Sequence, residues 1–278
     1  MTETRSVFDS PETAARWRAN AERRARFVAP ATERMLDAAG VVAGARVLDL
    51  GTGTGDTALL AAQRVGPAGR VVATDVSEAM LQAAAETVAA AGLTNVELQR
   101  QDASALAGLE PDSFDAVIAR FSLQFVPDLA AALAGIQRVL KPGGRFGALV
   151  WAAAERNPFL SLSAAVARRT GRLPVPEAQV GRPFSLADGA ALVRAARAAG
   201  LEAEVDEIPV EARARDQAGA VEGMHSSPTT NLILDALEAA EREAFEADLV
   251  AELERYRGED GGYVFPGVAL LLSGRNLA

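Results

Sequence analysis

The chain has 278 residues, of which 49% are hydrophobic and 23% charged, with a formal net charge of −9: the mix of a folded protein with one sizeable α/β domain, or one domain carrying an insertion. It contains no cysteine and a single histidine, which excludes disulfides, thiolate metal sites and cysteine nucleophiles and argues against a catalytic zinc; no metal is expected. The acidic balance opposes nucleic acid, whose binding rests on basic side chains that displace counterions, and no apolar run approaches the roughly eighteen residues of a bilayer span, so a cytoplasmic protein with a small-molecule partner is expected.

In chain order, Ser10-Pro11-Glu12 predicts a helix start, with Ser10 as cap and Pro11 at the first helical position, and a helix to about Phe27. A second helix is expected from about Ala31 to Ala39, stopped by Gly40. Short apolar runs then alternate with Ala-rich helical stretches, the pattern of βαβ units in a parallel sheet. Strands are expected at Arg46 to Leu50, Arg70 to Thr74, Val96 to Gln99, Asp115 to Ala119 and Arg145 to Trp151. Helices fit Asp56 to Val65, Ser77 to Ala91 and Leu129 to Leu140, the last stopped by Lys141-Pro142-Gly143-Gly144. Beyond Trp151 come one short helical pattern and a Pro/Gly-rich loop up to Pro183, a helix at Ser185 to Ala199 and a strand at Glu202 to Val210. Residues 211–261 look helical, with Leu234, Leu237, Phe245, Leu249, Leu253 and Tyr256 at three- and four-residue steps, and Val268 to Leu272 makes a closing strand. The expected organisation is a single domain, 1–278, with a helical cover at 1–44, a ligand-binding core at 45–152, and helical insertions at 153–184 and 211–261 that form a lid.

The strongest chemical signal is Val47-Leu48-Asp49-Leu50-Gly51-Thr52-Gly53-Thr54-Gly55-Asp56, a strand that runs into a glycine-rich turn and then a helix. In an open parallel sheet this turn lies at the carboxyl edge, where ligands bind. Dinucleotide sites use G-x-G-x-x-G and rest a pyrophosphate on the helix start. Here the third glycine position is Asp56, and with Asp49 it would repel phosphate. A sulfonium and an ammonium suit such an acidic floor, which points to S-adenosylmethionine (SAM). Asp75 ends an apolar strand twenty residues after Gly55, where a carboxylate can accept hydrogen bonds from vicinal ribose hydroxyls. Its bland alternative, a helix cap, falls better to Ser77, leaving Asp75 for a ligand. Asp102, after the third strand, can take the exocyclic amine of an adenine lying against Val76 and Met80, or simply occupy a turn.

Three motifs together, Leu48-Asp49-x-Gly51-x-Gly53-x-Gly55-Asp56, Asp75-x-Ser77-x-x-Met80-Leu81 and Val139-Leu140-Lys141-Pro142-Gly143-Gly144-Arg145, resemble the class I SAM-dependent methyltransferases. They are similar to the ubiquinone/menaquinone C-methyltransferase branch. The resemblance runs from Ala45 to about Val210 and includes the last strand; the amino-terminal Tyr-Asp and Met-Asn elements of the quinone enzymes are absent, and the 211–261 insertion is longer. It implies an α/β, Rossmann-like, seven-stranded, mostly parallel sheet with an antiparallel last strand. It also implies that Gly51, Thr52, Gly53 and Gly55 surround the methionine part, with Asp75 on ribose and Asp102 and Ala103 at adenine. The backbone of Arg120 and Phe121 would face the methionine amine and the reacting methyl.

Methyl transfer from a sulfonium is an in-line displacement, so the protein chiefly aligns an acceptor and keeps water out. His225 is the sole imidazole and hence the candidate general base, against the reading of an ordinary loop histidine. Trp17, Gln124, Phe125 and Trp151, with Phe121, are candidates to line the acceptor site, although such aromatics are more often plain core than ligand contacts. The expected activity is methylation of a small apolar or aromatic metabolite at oxygen or carbon. The alternatives are a SAM-binding domain without transfer, as a scaffold or pericyclase-like catalyst, and a protein or nucleic-acid methyltransferase.

Overall fold

The computed structural model describes residues 10–106 and 108–277, so the first nine residues of the expected helical cover lie outside the described residues. Two helices open the chain, α1 (Pro11–Ala19) and α2 (Ala21–Ala38). Five strands and three helices follow: β1 (Arg46–Leu50), α3 (Asp56–Val65), β2 (Arg70–Asp75), α4 (Glu78–Ala90), β3 (Val96–Arg100), β4 (Phe114–Arg120), α5 (Leu129–Val139) and β5 (Leu140–Trp151). The remainder comprises α6 (Pro158–Arg169), α7 (Glu177–Gly181), α8 (Gly189–Ala198), β6 (Leu201–Ala214), α9 (Gln217–His225), α10 (Pro228–Ala236), α11 (Ala239–Leu253) and β7 (Tyr263–Asn276).

The seven strands form one sheet in the order β3-β2-β1-β4-β5-β7-β6. β1 to β5 are parallel, and β7 lies antiparallel between β5 and β6. The order reverses at β1, whose carboxyl end therefore faces the crevice that ligands use in such sheets. Side chains alternate across the sheet. Leu48, Leu50 and Val117 pack with Leu133 and Ile136 of α5 and Leu192 of α8, while Val47, Val71 and Ile118 pack with Met35 of α2 and Ala58 and Ala61 of α3. A third core, with Phe245, Leu249 and Leu253 of α11 against Leu162 and Val166 of α6 and Phe265 of β7, holds the helical cap to the sheet. No helix among the described residues is long and apolar enough to cross a membrane.

Three expectations about elements need correction. The first two helices break at Asn20, not near Phe27, and Pro30 lies inside α2; the proline is on the exposed side, where its missing donor costs least. β6 continues to Ala214 and pairs with β7 from Tyr263, so 211–214 is strand. Pro266 and Gly267 masked that start, yet Pro266 pairs only with β6, and proline, which lacks an N–H, is tolerated where one side of a strand has no neighbour in need of a donor. Lys141 to Gly144 makes an irregularity within β5, with Leu140 opposite Phe114 and Arg145 opposite Ala116.

Candidate SAM-binding site

Beyond β1, the chain turns through Gly51, Gly53 and Gly55, all at positive φ (69°, 56° and 89°). Gly51 is required twice over. Its left-handed conformation disfavours a side chain, and a Cβ would sit 2.4 Å from that of Ser122. The turn is stitched to the end of β2: Thr52 N donates to the Thr74 carbonyl (2.8 Å), and Gly53 N donates to Asp75 Oδ2 (2.9 Å). Asp75 Oδ1 accepts from Ser77 N (2.9 Å), while Ser77 caps α4 by accepting from Met80 N (3.2 Å). Asp75 is thus a carboxylate positioned by two backbone donors, one from the glycine turn and one from the start of α4.

Asp49 lies beneath this turn, fully buried, and neither carboxylate oxygen has a hydrogen-bond partner. Burial pushes its carboxyl up to about 7, with the Thr52 hydroxyl and Arg120 pulling down and Asp75 and Asp56 pushing up. An unpartnered buried acid is costly unless a donor or cation arrives. Val76, one of the few exposed large apolar side chains, is 50% exposed beside buried Met80, and Asp102 closes a turn by accepting from Ser104 N (2.8 Å), with Ala103 next to it. This donor set fits SAM: a buried acid for a cation, a positioned carboxylate for a diol and an open apolar face for a base.

The electrostatics differ from the acidic floor expected. Asp56 does not stand bare: its Oδ2 accepts from Arg120 (3.1 Å) and lies 3.7 Å from Arg24 Nη2, and its Oδ1 accepts from Thr54 (2.8 Å). Arg24 comes from α2 and was missed in the sequence, where Arg23-Arg24-Ala25-Arg26 looks like any solvated helix face. Its guanidinium stacks 3.9 Å from the Trp17 ring centre and donates to the Trp17 carbonyl. Burial lowers its pKa to about 10, partly offset by Asp56, while Arg120 lowers it further. Trp17 itself packs with Ala14 on Met80 and Ala83 of α4, and its Nε1 is 3.7 Å from where a Gly53 side chain would begin. Thus α1 covers the glycine turn.

On the other side, Phe121 follows β4 at φ +54°, a strained conformation for a bulky residue. Its ring stacks on Trp151 at 4.0 Å, and Trp151 stacks on Phe27 at 5.7 Å, which meets Phe159 edge-on at 5.3 Å. Trp151, 7% exposed, thus packs within an aromatic column, which Phe27 and Phe159 extend without having been singled out. Gln124 is 4% exposed with Oε1 unpartnered. Its carbonyl accepts from Ser185 Oγ (2.9 Å) and that of Phe125 from Arg182 (2.7 Å), so residues 182–185 brace this segment. His225 ends α9 in the helical cap, its Nε2 3.6 Å from Glu246 of α11.

A seven-stranded sheet of this order, with its glycine turn and acids at the ends of successive strands, is the Rossmann-like arrangement of the SAM-dependent methyltransferases. Residues 47–144 match the methyltransferase domain family. The chain is 39% identical over 125 residues to nocamycin O-methyltransferase of Saccharothrix syringae, covering 44% of this chain and 43% of that protein. It is 40% identical over 127 residues to the ubiquinone/menaquinone biosynthesis C-methyltransferase UbiE of Hahella chejuensis, covering 45% and 50%. The chain thus spans about half the length of the curated relatives it matches. Among solved structures, the (4+2)-cyclase SpnF superposes with a TM-score of 0.57 at 25% identity, over 90% of this chain and 82% of that one.

Proposed function

We propose that this protein transfers a methyl group from SAM to oxygen or carbon of a small, apolar or aromatic metabolite. The observation that carries the proposal is Asp49, a buried carboxylate with neither oxygen satisfied beneath the glycine turn. Such a group awaits a cation, and the ammonium of an amino-acid arm supplies one. The acceptor class is supported by the relatives, one an O-methyltransferase and the other a C-methyltransferase of quinone biosynthesis, and by the chain's acidic balance.

When bound, SAM supplies a sulfonium-activated methyl group that no acid or metal need activate. The residues of this chain do the rest by placement. Asp49 holds the ammonium and Asp75, fixed by Gly53 N and Ser77 N, receives the ribose hydroxyls. Val76 and Met80 give the adenine an apolar face, with Asp102 and Ala103 at its edge. The strained backbone at Phe121 turns the chain away at the end of β4, where the methyl would stand, and the Trp17 cover keeps water from the turn. Gln124 has a buried amide oxygen to offer an acceptor hydroxyl, and Phe125 lies beside it. This scheme gives no role to His225.

The test is calorimetric titration with SAM and S-adenosylhomocysteine, followed by labelled-methyl transfer to a panel of phenols, enols, quinols and amines. Cofactor binding with label in a phenol, enol or quinol bears the proposal out. Cofactor binding with no product across the panel would favour a SAM-binding scaffold or cyclase, and label in amines alone would overturn the acceptor class.

A further inference from the structure

Buried polar atoms without partners are rare in folded proteins, so each one asks for a physical reason. Among the described residues, those of Arg24, Asp49 and Thr52 gather at the glycine turn and that of Ser104 follows Asp102, where the SAM reading accounts for them. His225 Nε2 stands 3.6 Å from Glu246, a partner within the helical cap. Two remain: Oε1 of Gln124, an acceptor, and Nη1 of Arg23, a donor. They stand at opposite ends of the aromatic column. Gln124, 4% exposed, lies three residues past Phe121, the first ring, and its carbonyl is fixed by Ser185 Oγ (2.9 Å). Arg23 is one helical turn before Phe27, on the same face of α2. Its Nη1 lies beside Phe159 at the far end, since a side chain on Gly223 would begin 3.1 Å from Phe159 Cε2 and 3.8 Å from Nη1. Between the two, Phe121, Phe27 and Phe159 are only half-buried, so the column offers a flank of ring edges to a flat molecule. Charge at the Arg23 end is already balanced, because Nη2 pairs with Glu222 at 2.5 Å and Arg24 next to it answers Asp56. An uncharged oxygen therefore fits Nη1 better than a carboxylate, which Glu222 would repel.

We infer that the acceptor is a flat hydroxyaryl or enol ketone, its hydroxyl donating to Gln124 at the transfer end and its carbonyl accepting from Arg23 at the cap end. The inference rests on the methyl-transfer reading above and deepens it by naming the acceptor's two polar groups and their order along the column. Gln124 and Arg23 are then specificity-determining residues, left unsatisfied in the ligand-free protein at a cost in stability.

The experiment measures binding of 6-acetyl-2-naphthol, 2-naphthol, 2-acetylnaphthalene and 6-hydroxy-2-naphthoate to the full chain saturated with S-adenosylhomocysteine, for the wild type, Gln124→Met and Arg23→Met. The wild type should bind 6-acetyl-2-naphthol about 10- to 100-fold tighter than 2-naphthol, the span of a hydrogen bond to a charged group, and tighter than the carboxylate. Arg23→Met should erase that advantage while leaving 2-naphthol within about twofold. Gln124→Met should instead erase the advantage of 6-acetyl-2-naphthol over 2-acetylnaphthalene, about 2- to 10-fold in the wild type, and keep its advantage over 2-naphthol. Both variants should melt no lower than the wild type, since each removes an unsatisfied buried group and Glu222, 69% exposed, stays hydrated. A clear fall in melting temperature would make the group structural and overturn the inference. So would a preference for the carboxylate, preferences untouched by either substitution, or no binding of any naphthalene to the cofactor-loaded protein. If S-adenosylhomocysteine itself does not bind, the cofactor reading fails and the inference with it.

Discussion

Asp49 and Asp75 are acids of opposite temper, and the difference is set within a few ångströms. Asp75 receives two backbone N–H groups, whereas Asp49 receives none and is pushed up to about 7 by burial. A carboxyl raised above its unfolded value of 3.8 adds stability that is fully present below about pH 4 and is lost as pH rises through about 7. The ligand-free protein should therefore lose stability in this contribution between about pH 4 and 7, and Asp49→Asn should flatten that slope in thermal melts. A cationic ligand favours the ionised form, so SAM affinity should rise over the same interval. Binding near pH 7 should release up to about half a proton, visible as a binding enthalpy that changes with buffer ionisation enthalpy and absent in Asp49→Asn. Asp75→Ala should weaken SAM by about 1–3 kcal/mol; unchanged affinity would remove Asp75 from the ribose role. The identities of these acids were legible in the sequence from their spacing after apolar strands. Their bonding was not, because backbone donors carry no sequence signature.

At the scale of elements, the turns and crossings of the sheet rest on a few polar side chains. Asn157 accepts from Val268 N (2.9 Å) and donates to the carbonyls of Ala152, Ala153 and Val268. It closes the backbone where β5 leaves β7. Asn157→Ala strands these buried groups and should lower stability by about 1–3 kcal/mol in denaturant titration. Gly51→Ala meets both the left-handed φ and the Ser122 side chain, so it should abolish cofactor binding measured by calorimetry more completely than it lowers the melting temperature. The strands β1 to β4 were read from the sequence to within a residue or so because continuous apolar runs bounded by turn residues have few alternatives. β6 and β7 were shortened in that reading, since their outer ends alternate on a half-exposed edge and contain Pro266.

Across the whole molecule, three cores are joined through one sheet. The helical cap shares Ala212, Tyr263 and Phe265 of β6 and β7 with Phe245, which is fully buried. Phe245→Ala should cost about 3–5 kcal/mol, and because the cap is packed on the sheet, unfolding should remain a single transition by far-ultraviolet dichroism and by tryptophan emission. The aromatic column from Phe121 through Trp151 and Phe27 to Phe159 likewise ties the end of β4 to α2 and α6.

From its sequence alone the chain determined the alternating βα core, the glycine turn and the order of acids along it, since these depend on local periodicity and on residue types that few conformations tolerate. Only the tertiary structure decided that Arg24 reaches Asp56, that Trp17 lies over Gly53 and that Trp151 stacks with Phe121 and Phe27. Those contacts join residues up to about 120 positions apart in sequence, and the packing of distant elements, unlike strand or turn chemistry, leaves no local pattern from which to read it.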